Sequence, residues 1–229
     1  MVWETFRIRA LEASAYARQA FLVARDLEPS LPERIEPGDQ VVFFLHGFMA
    51  TAGVLRPLRD AVTRHAGLCA ASLTYPPGPG VENLAERLAV AIDRLPADAK
   101  VHLVGHSLGG IVARYYVVTR RDRRVLSTTA LASPFGGVRG AAVLSATRDL
   151  DPKSAALALA RSTPAPEGVS HLSIFAGGDP LTRDHGAHTP AGASYEVAGG
   201  LGHNALLYDA DVIALVERRI LGLCSDPVG

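Results

Sequence analysis

Residues 100–116 read KVHLVGHSLGGIVARYY, and at their centre Ser107 stands alone between glycines, after an apolar run and before a helical one. That setting suits chemistry rather than packing. Gly105 and Gly109 remove side chains where a strand and the next helix would collide, so the chain can turn sharply. The turn lifts the Ser107 hydroxyl clear and aims a helix N-terminus at any negative charge formed beside it. A serine so placed is a nucleophile for a carbonyl carbon, once a base takes its proton and a third group orients that base.

On a strand–turn–helix scaffold the order is serine, then acid, then histidine. SIFAGGDPL places Asp179 just past one strand pattern, and VAGGLGHNALLYD places His203 just past the last. Asp184 in TRDHGAH is a competing acid, lying farther from its strand end. Asp184, His185 and His188 could also hold a metal, although such loop clusters more often are solvated polar residues; no metal or organic cofactor is expected. Asp149 and Asp151 carry little weight. His65, His102 and His171 sit at or inside elements, and His106 packs the turn beside the nucleophile. An oxyanion needs two backbone donors. The amide of Leu108 supplies one and that of Phe48, in the His46-Gly47-Phe48 turn, the other, with His46 bracing the loop.

Short β-rich runs at 41–48, 68–75, 101–105, 125–133, 169–177 and 193–199 alternate with helical patterns at 53–67, 81–95, 107–121, 140–161 and 209–221. Such alternation predicts an α/β fold, a mostly parallel six-stranded sheet with helices on both faces, as a single domain. In these sheets function gathers at the carboxyl ends of the strands. His46–Phe48, Ser107, Asp179 and His203 lie there. Residues 3–26 form a helix whose stripe of Trp3, Phe6, Ala10, Ala13, Ala17 and Phe21 is expected to cover the core rather than to anchor on a membrane. The expected division is 1–40, helix and linker packed on the domain, and 41–229, the catalytic domain.

The chain is similar to the α/β-hydrolases, and among them to small bacterial lipases and their GPI inositol-deacylase-like relatives. FFLHGFMAT, VHLVGHSLGGIVARYY, LASPFGG, RDLDPKSAALALARS, SIFAGGDPLT and GLGHNALLYDADVIALV carry the resemblance. LASPFGG lacks that group's histidine, and the first 40 residues carry no likeness. The resemblance implies Ser107, Asp179 and His203 as a catalytic triad, Phe48 and Leu108 as oxyanion donors, and carboxylic ester hydrolysis through an acyl-enzyme. An acyltransferase, a thioesterase or an inactive binding protein on the same fold are the alternatives.

The 229 residues are 48% hydrophobic and 20% charged with no net charge, enough for a substantial core and without the field that nucleic acid or an anionic surface would select. Two cysteines make no disulfide framework, and Cys69 reads as a buried thiol. No apolar run is long enough for a membrane span and no signal peptide is visible, so the expectation is a cytoplasmic protein, secreted if a leader precedes the sequence. RRDRR at 120–124 reads as a solvated helix end. Phe48, Met49, Leu108, Phe135, Leu181 and Leu206 form the expected apolar ring around a hydrophobic ester. The thin apolar content of 140–161 (Val143, Leu144, Leu150, Leu157, Leu159) predicts no large lid and a solvent-accessible Ser107.

Overall fold

The computed structural model describes residues 2–143 and 145–225. Six strands, β1 (Gln40–Leu45), β2 (Leu68–Leu73), β3 (Lys100–His106), β4 (Val125–Leu131), β5 (Ser170–Ala176) and β6 (Ser194–Ala198), form one parallel sheet in the order β2-β1-β3-β4-β5-β6. Six helices accompany it: α1 (Val2–Leu22), α2 (Arg56–Val62), α3 (Val81–Ile92), α4 (Leu108–Arg120), α5 (Ala155–Ser162) and α6 (Ala210–Ser225). The strand period of two divides the core. Val41, Phe43 and Leu45 of β1 pack toward α3, α4 and α5, whereas Val42 and Phe44 pack toward α1, α2 and α6.

The strand order reverses between β2 and β3, so β1 and β3 lie side by side while their following segments diverge. A crevice at the carboxyl ends of such a pair is where open α/β sheets bind ligands. The turn after β1 holds His46–Phe48 and the turn after β3 holds Ser107.

Local chemistry explains where elements differ from expectation. The helix predicted over 53–67 is split into a 3-10 turn at Ala52–Leu55 and α2, because Pro57 lacks an N–H and serves best in a first helical turn. The stretch 140–161 is likewise broken. Ala141–Val143 and Ser145–Leu150 are 3-10, Pro152 follows, and α5 starts only where the Ser154 hydroxyl accepts from the Leu157 amide at 3.3 Å. Leu144 lies outside the described residues. Of the other apolar positions there, Leu157 is buried, Leu150 half-buried, and Val143 and Leu159 exposed.

The stripe of α1 points the other way from the one expected. Trp3 and Phe6 are 84% and 66% exposed, and Ala10, Ala13, Ala17 and Phe21 also face outward. Ala15 and Leu22 are buried instead, with Ile8, Glu12 and Gln19 half-buried beside them. The reason is what the body offers this helix: the backbone N–H groups of Asn204 and Ala205, which Glu12 accepts from, and the Asn204 side-chain oxygen, to which Gln19 donates, none of which a row of aromatics could satisfy. The end of α1 is fastened as well. Thr51 donates to the carbonyls of Val23 and Arg25, and Arg56 forms a two-pronged pair with Asp26 at 2.7 and 2.8 Å. Burial would raise the Asp26 pKa, but Arg56 and Arg59 outweigh it and hold the carboxylate below its usual range.

Helix α4 lies against the sheet at backbone contact. A Cβ on Gly105 would stand 2.3 Å from the Gly109 carbonyl carbon, one on Gly109 2.1 Å from the Leu45 carbonyl oxygen, and one on Gly110 2.1 Å from the Ser133 hydroxyl. Intrinsic helix propensity favours alanine over glycine by about 1 kcal/mol, yet overpacking costs about 1–3 kcal/mol and a Cβ 2.1 Å from the Leu45 carbonyl oxygen meets backbone that cannot swing aside. Gly109→Ala is therefore expected to lower stability despite improving the helix. Urea unfolding reads the sign directly.

Candidate active site

Ser107 sits at φ 53° and ψ −116°, a conformation few non-glycine residues adopt. Its amide donates to the Leu131 carbonyl at 2.8 Å, which ties the turn to β4. The side chain makes no capping bond to α4. Ser107 is only 9% exposed, less open than the sequence suggested, because β3, α4 and the loop after β1 close around it.

That loop approaches through Gly47, whose added Cβ would lie 3.1 Å from His106 Nδ1 and 3.2 Å from Ser107 Cβ. His46 braces it. Its Nδ1–H donates to the Gly47 carbonyl at 2.7 Å, its Nε2 accepts from the Tyr75 amide at 3.1 Å, and its ring stacks on Tyr75 at 3.9 Å. The Tyr75 hydroxyl returns to the His46 carbonyl at 2.5 Å. Burial lowers the His46 pKa to about 4, so the ring stays neutral and structural at pH 7. The Leu108 amide opens α4, where the first N–H groups have no helical acceptor. It and the Phe48 loop thus flank Ser107 from two sides.

Asp179 and His203 follow β5 and β6 and meet: His203 Nδ1 lies 2.7 Å from Asp179 Oδ2. The carboxylate also accepts from the Thr182 hydroxyl at 2.9 Å and the Leu181 amide at 2.8 Å. Burial alone would raise the Asp179 pKa, but the hydrogen bonds and the charge from His203, with those two donors, bring it below the ordinary value. The two turns are laced together, the Gly178 amide donating to the Leu201 carbonyl at 2.8 Å. His106 joins this pair to the serine turn. Its Nε2–H donates to the His203 carbonyl at 3.1 Å and the two rings lie 4.8 Å apart. Burial pushes the His106 pKa down to about 3, so it packs and aims without titrating near neutrality.

Other candidates fall elsewhere. Asp184 is exposed and accepts from the Ala187 amide. His185 stacks on Phe175 at 5.0 Å, and His188 accepts from the Gly136 amide at 3.0 Å. Among the described residues no group of three metal-binding side chains comes together. His102 bridges Ser127 and Gln40 inside the sheet, His171 bonds Thr128, and His65 pairs with Glu217. In the RRDRR stretch Arg124 is not a free solvated end but pairs with Asp122 and Asp93. Cys69 and Cys224 are free and half-buried, less buried than expected for Cys69. Asp149 has a local role, accepting from the Val81 amide at 2.6 Å at the start of α3.

The expected substrate ring needs correction. Phe135 and Leu206 are 1% and 0% exposed and belong to the two cores, so neither has surface for a ligand. Met49 and Leu181 are exposed, Phe48 half-buried and Leu108 nearly buried. A cavity of about 150 Å³ adjoins Leu108 and is walled by residues 78–81 and 146–150.

The sequence also gave no sign of Glu12. Its carboxylate, from α1, accepts from the amides of Asn204 and Ala205 at 3.0 Å and from Asn204 Nδ2 at 2.7 Å, while Gln19 Nε2 donates to Asn204 Oδ1 at 2.8 Å. Gly202 is the matching signal, since a Cβ there would reach 2.3 Å from the Glu12 carboxylate. The turn bearing His203 is therefore held from outside by the N-terminal helix.

Residues 79–147 match a protein family described as "Putative serine esterase (DUF676)". No curated protein matches the sequence. Solved structures are similar throughout. Est1E from Butyrivibrio proteoclasticus, determined with ferulic acid, superposes with a TM-score of 0.66 at 12% identity over 86% of this chain and 94% of its own. Carboxylesterase CesB from Bacillus subtilis matches 98% of this chain and 99% of its own at 14% identity, TM-score 0.54. Lipase B from Aspergillus fumigatus matches 82% of this chain and 54% of its own at 18% identity, TM-score 0.64. The chain has the α/β-hydrolase fold.

Two outcomes check the geometry. Asp179→Asn is expected to cost far more turnover than Asp184→Asn, because only the former leaves His203 without its orienting carboxylate; kcat of the two variants ranks them. Glu12→Ala leaves several N–H groups without their acceptor, which should lower stability by about 1–3 kcal/mol and reduce kcat more than it alters KM. A melting curve and steady-state kinetics on one preparation separate the two effects.

Proposed function

We propose that the protein is a serine carboxylic ester hydrolase acting on a hydrophobic ester through an acyl-enzyme on Ser107. The observation that carries this reading is the 2.7 Å His203–Asp179 pair, bound through His106 to the strained turn of Ser107. The family match over 79–147 and the esterase and lipase neighbours support it.

In this reading Asp179 keeps the proton on His203 Nδ1, leaving Nε2 as the base. Ser107 Oγ attacks the ester carbonyl carbon as its proton passes to Nε2. The carbonyl oxygen takes the negative charge and is met by the amides of Leu108 and Phe48. Collapse breaks the bond to the alcohol oxygen, which leaves with the proton from His203. Water then attacks the acyl-enzyme, gives its proton to Nε2, and Ser107 returns as the acid departs. No metal or organic cofactor enters.

The cavity of about 150 Å³ that touches Leu108, though lined by neither Ser107 nor His203, offers room for one end of the ester. A space of about that size accommodates a ring the size of benzene, so a short acyl or alcohol group fits it and a long chain must lie along the surface. Met49, Leu181 and the wall at residues 146–150 then provide the outer contacts. Rates with p-nitrophenyl esters should peak at short to medium chain length, with ordinary saturation and no jump when a sparingly soluble ester passes its solubility limit. A jump would make the 140–161 segment a lid.

Ser107→Ala and His203→Ala are each expected to lose several orders of magnitude in kcat, and the double variant little more, because the residues act as a unit. Near-native turnover in either single variant would remove the triad from the reading. EDTA should leave the rate unchanged. An added alcohol that collects most of the acyl group in place of water would reassign the protein as an acyltransferase, and a strong preference for thioesters would reassign the substrate.

A further inference from the structure

Helix α1 has two faces of different kind. Ile8, Glu12, Ala15, Gln19 and Leu22 follow one another at helical spacing on the face that meets the body, where Glu12 and Gln19 hold Asn204. On the opposite face Trp3, Phe6, Ala10, Ala13, Ala17 and Phe21 form a continuous exposed stripe, the aromatics at its ends and alanines as a flat floor between them. Trp3, Phe6 and Phe21 are 84%, 66% and 66% exposed. A connected apolar strip of this length is unusual on a soluble surface, unlike scattered single residues.

Charge is distributed unequally around the stripe. By helical spacing Arg9 borders it on one side, and Arg25 follows on the other with its guanidinium carbon 4.9 Å from the Phe21 ring centroid, whereas Arg7 and Arg18 turn onto the body beside Gly200 and over the Tyr208 ring. The two acids of the helix, Glu4 and Glu12, fall on the inward half, and Glu12 is occupied by the His203 turn. The borders of the stripe are thus basic on both sides.

We propose that this stripe seats α1 flat on an anionic lipid surface. Aromatic side chains at the headgroup boundary, with Arg9 and Arg25 reaching to lipid phosphates, are how an amphipathic helix lies in such an interface. The attraction is local, since the whole chain has no net charge. No helix of the described residues is long and apolar enough to cross a membrane, so the helix lies on the surface rather than through it. A second copy is the poorer occupant. Two such stripes packed together would bring arginine borders against each other, with Glu4 the one acid on α1 free to answer them. The bonds from Glu12, Gln19 and Asp26 keep the helix fixed to the body, so the stripe is presented as a rigid surface.

Trp3 is the sole tryptophan of the chain and reports on the stripe directly. The full-length protein is mixed with vesicles of phosphatidylcholine alone or with phosphatidylglycerol added, and Trp3 emission and co-sedimentation are followed. The expected result is a shift to shorter wavelength and sedimentation with the anionic vesicles, weakened by salt. A Phe6→Glu/Phe21→Glu variant should keep its melting temperature and its turnover of a soluble short ester while partitioning on the order of tenfold less, since it removes two buried aromatics from the contact. Absence of both the shift and sedimentation would overturn the proposal. So would equal partitioning of the double variant, or a concentration-dependent dimer whose Trp3 emission is already shifted without vesicles, which would give the stripe to a second copy. Binding is read without turnover, so this test stands or fails apart from the ester hydrolase reading.

Discussion

The backbone of Ser107 is the constraint to which the rest of the molecule answers. A non-glycine residue at φ 53° and ψ −116° costs on the order of 1–3 kcal/mol and persists only where its surroundings leave no alternative. Those surroundings are β3, central in the sheet and buried over Val101–His106, and α4, pressed so close that Gly105, Gly109 and Gly110 have no room for a Cβ. Burying the apolar faces of these two elements outweighs the strain many times over. The strained turn then positions the hydroxyl relative to the helix N-terminus and the loop after β1 without adjustable parts.

Around this fixed point the buried polar groups are connected rather than isolated. His46 and Tyr75 satisfy each other and stiffen the loop after β1. His106, the residue before the serine, reaches the carbonyl of His203. Asp179 receives three donors and Asn204 is held by α1. In a low-dielectric interior such a network is costly unless nearly every member is paired, and this one largely is. The neutral state of His46 and His106 follows from the same burial. The proposed triad asks of these two rings only that they stay neutral and hold the turns in place.

The strand–helix alternation, the serine turn and the acid–histidine pair could be read from the chain because each is encoded locally. An apolar run ending in Gly-x-Ser-x-Gly specifies its own turn, and Asp179 and His203 each follow their strand within a few residues. The loop contacts at His46 and Gly47 were legible for the same reason. The orientation of α1 was not. Helical periodicity located its apolar stripe but could not say that the surface awaiting it was a set of unpaired amides at Asn204 and Ala205, which select the polar face. The substrate ring failed similarly at Phe135 and Leu206, since a residue close in sequence to a strand end can turn into the core as readily as toward the site.

Helix α1 therefore combines two properties that sequence pattern alone treats as alternatives. Its inner face, where Glu12 and Gln19 stand among Ile8, Ala15 and Leu22, is bonded into the turn that carries His203, and its apolar outer face stands free. A helix with one apolar stripe ordinarily buries it, because the hydrophobic effect gives the larger return. Here the choice is reversed by satisfying several buried N–H groups with one carboxylate, at a site where leaving them unpaired would cost about 1–3 kcal/mol each. That reversal exposes the aromatics, and it does so on the element that also steadies the candidate base. Any body that covers the stripe will bear on a helix already coupled to the turn that carries His203, so the proposed surface attachment and the geometry of His203 share one structural element.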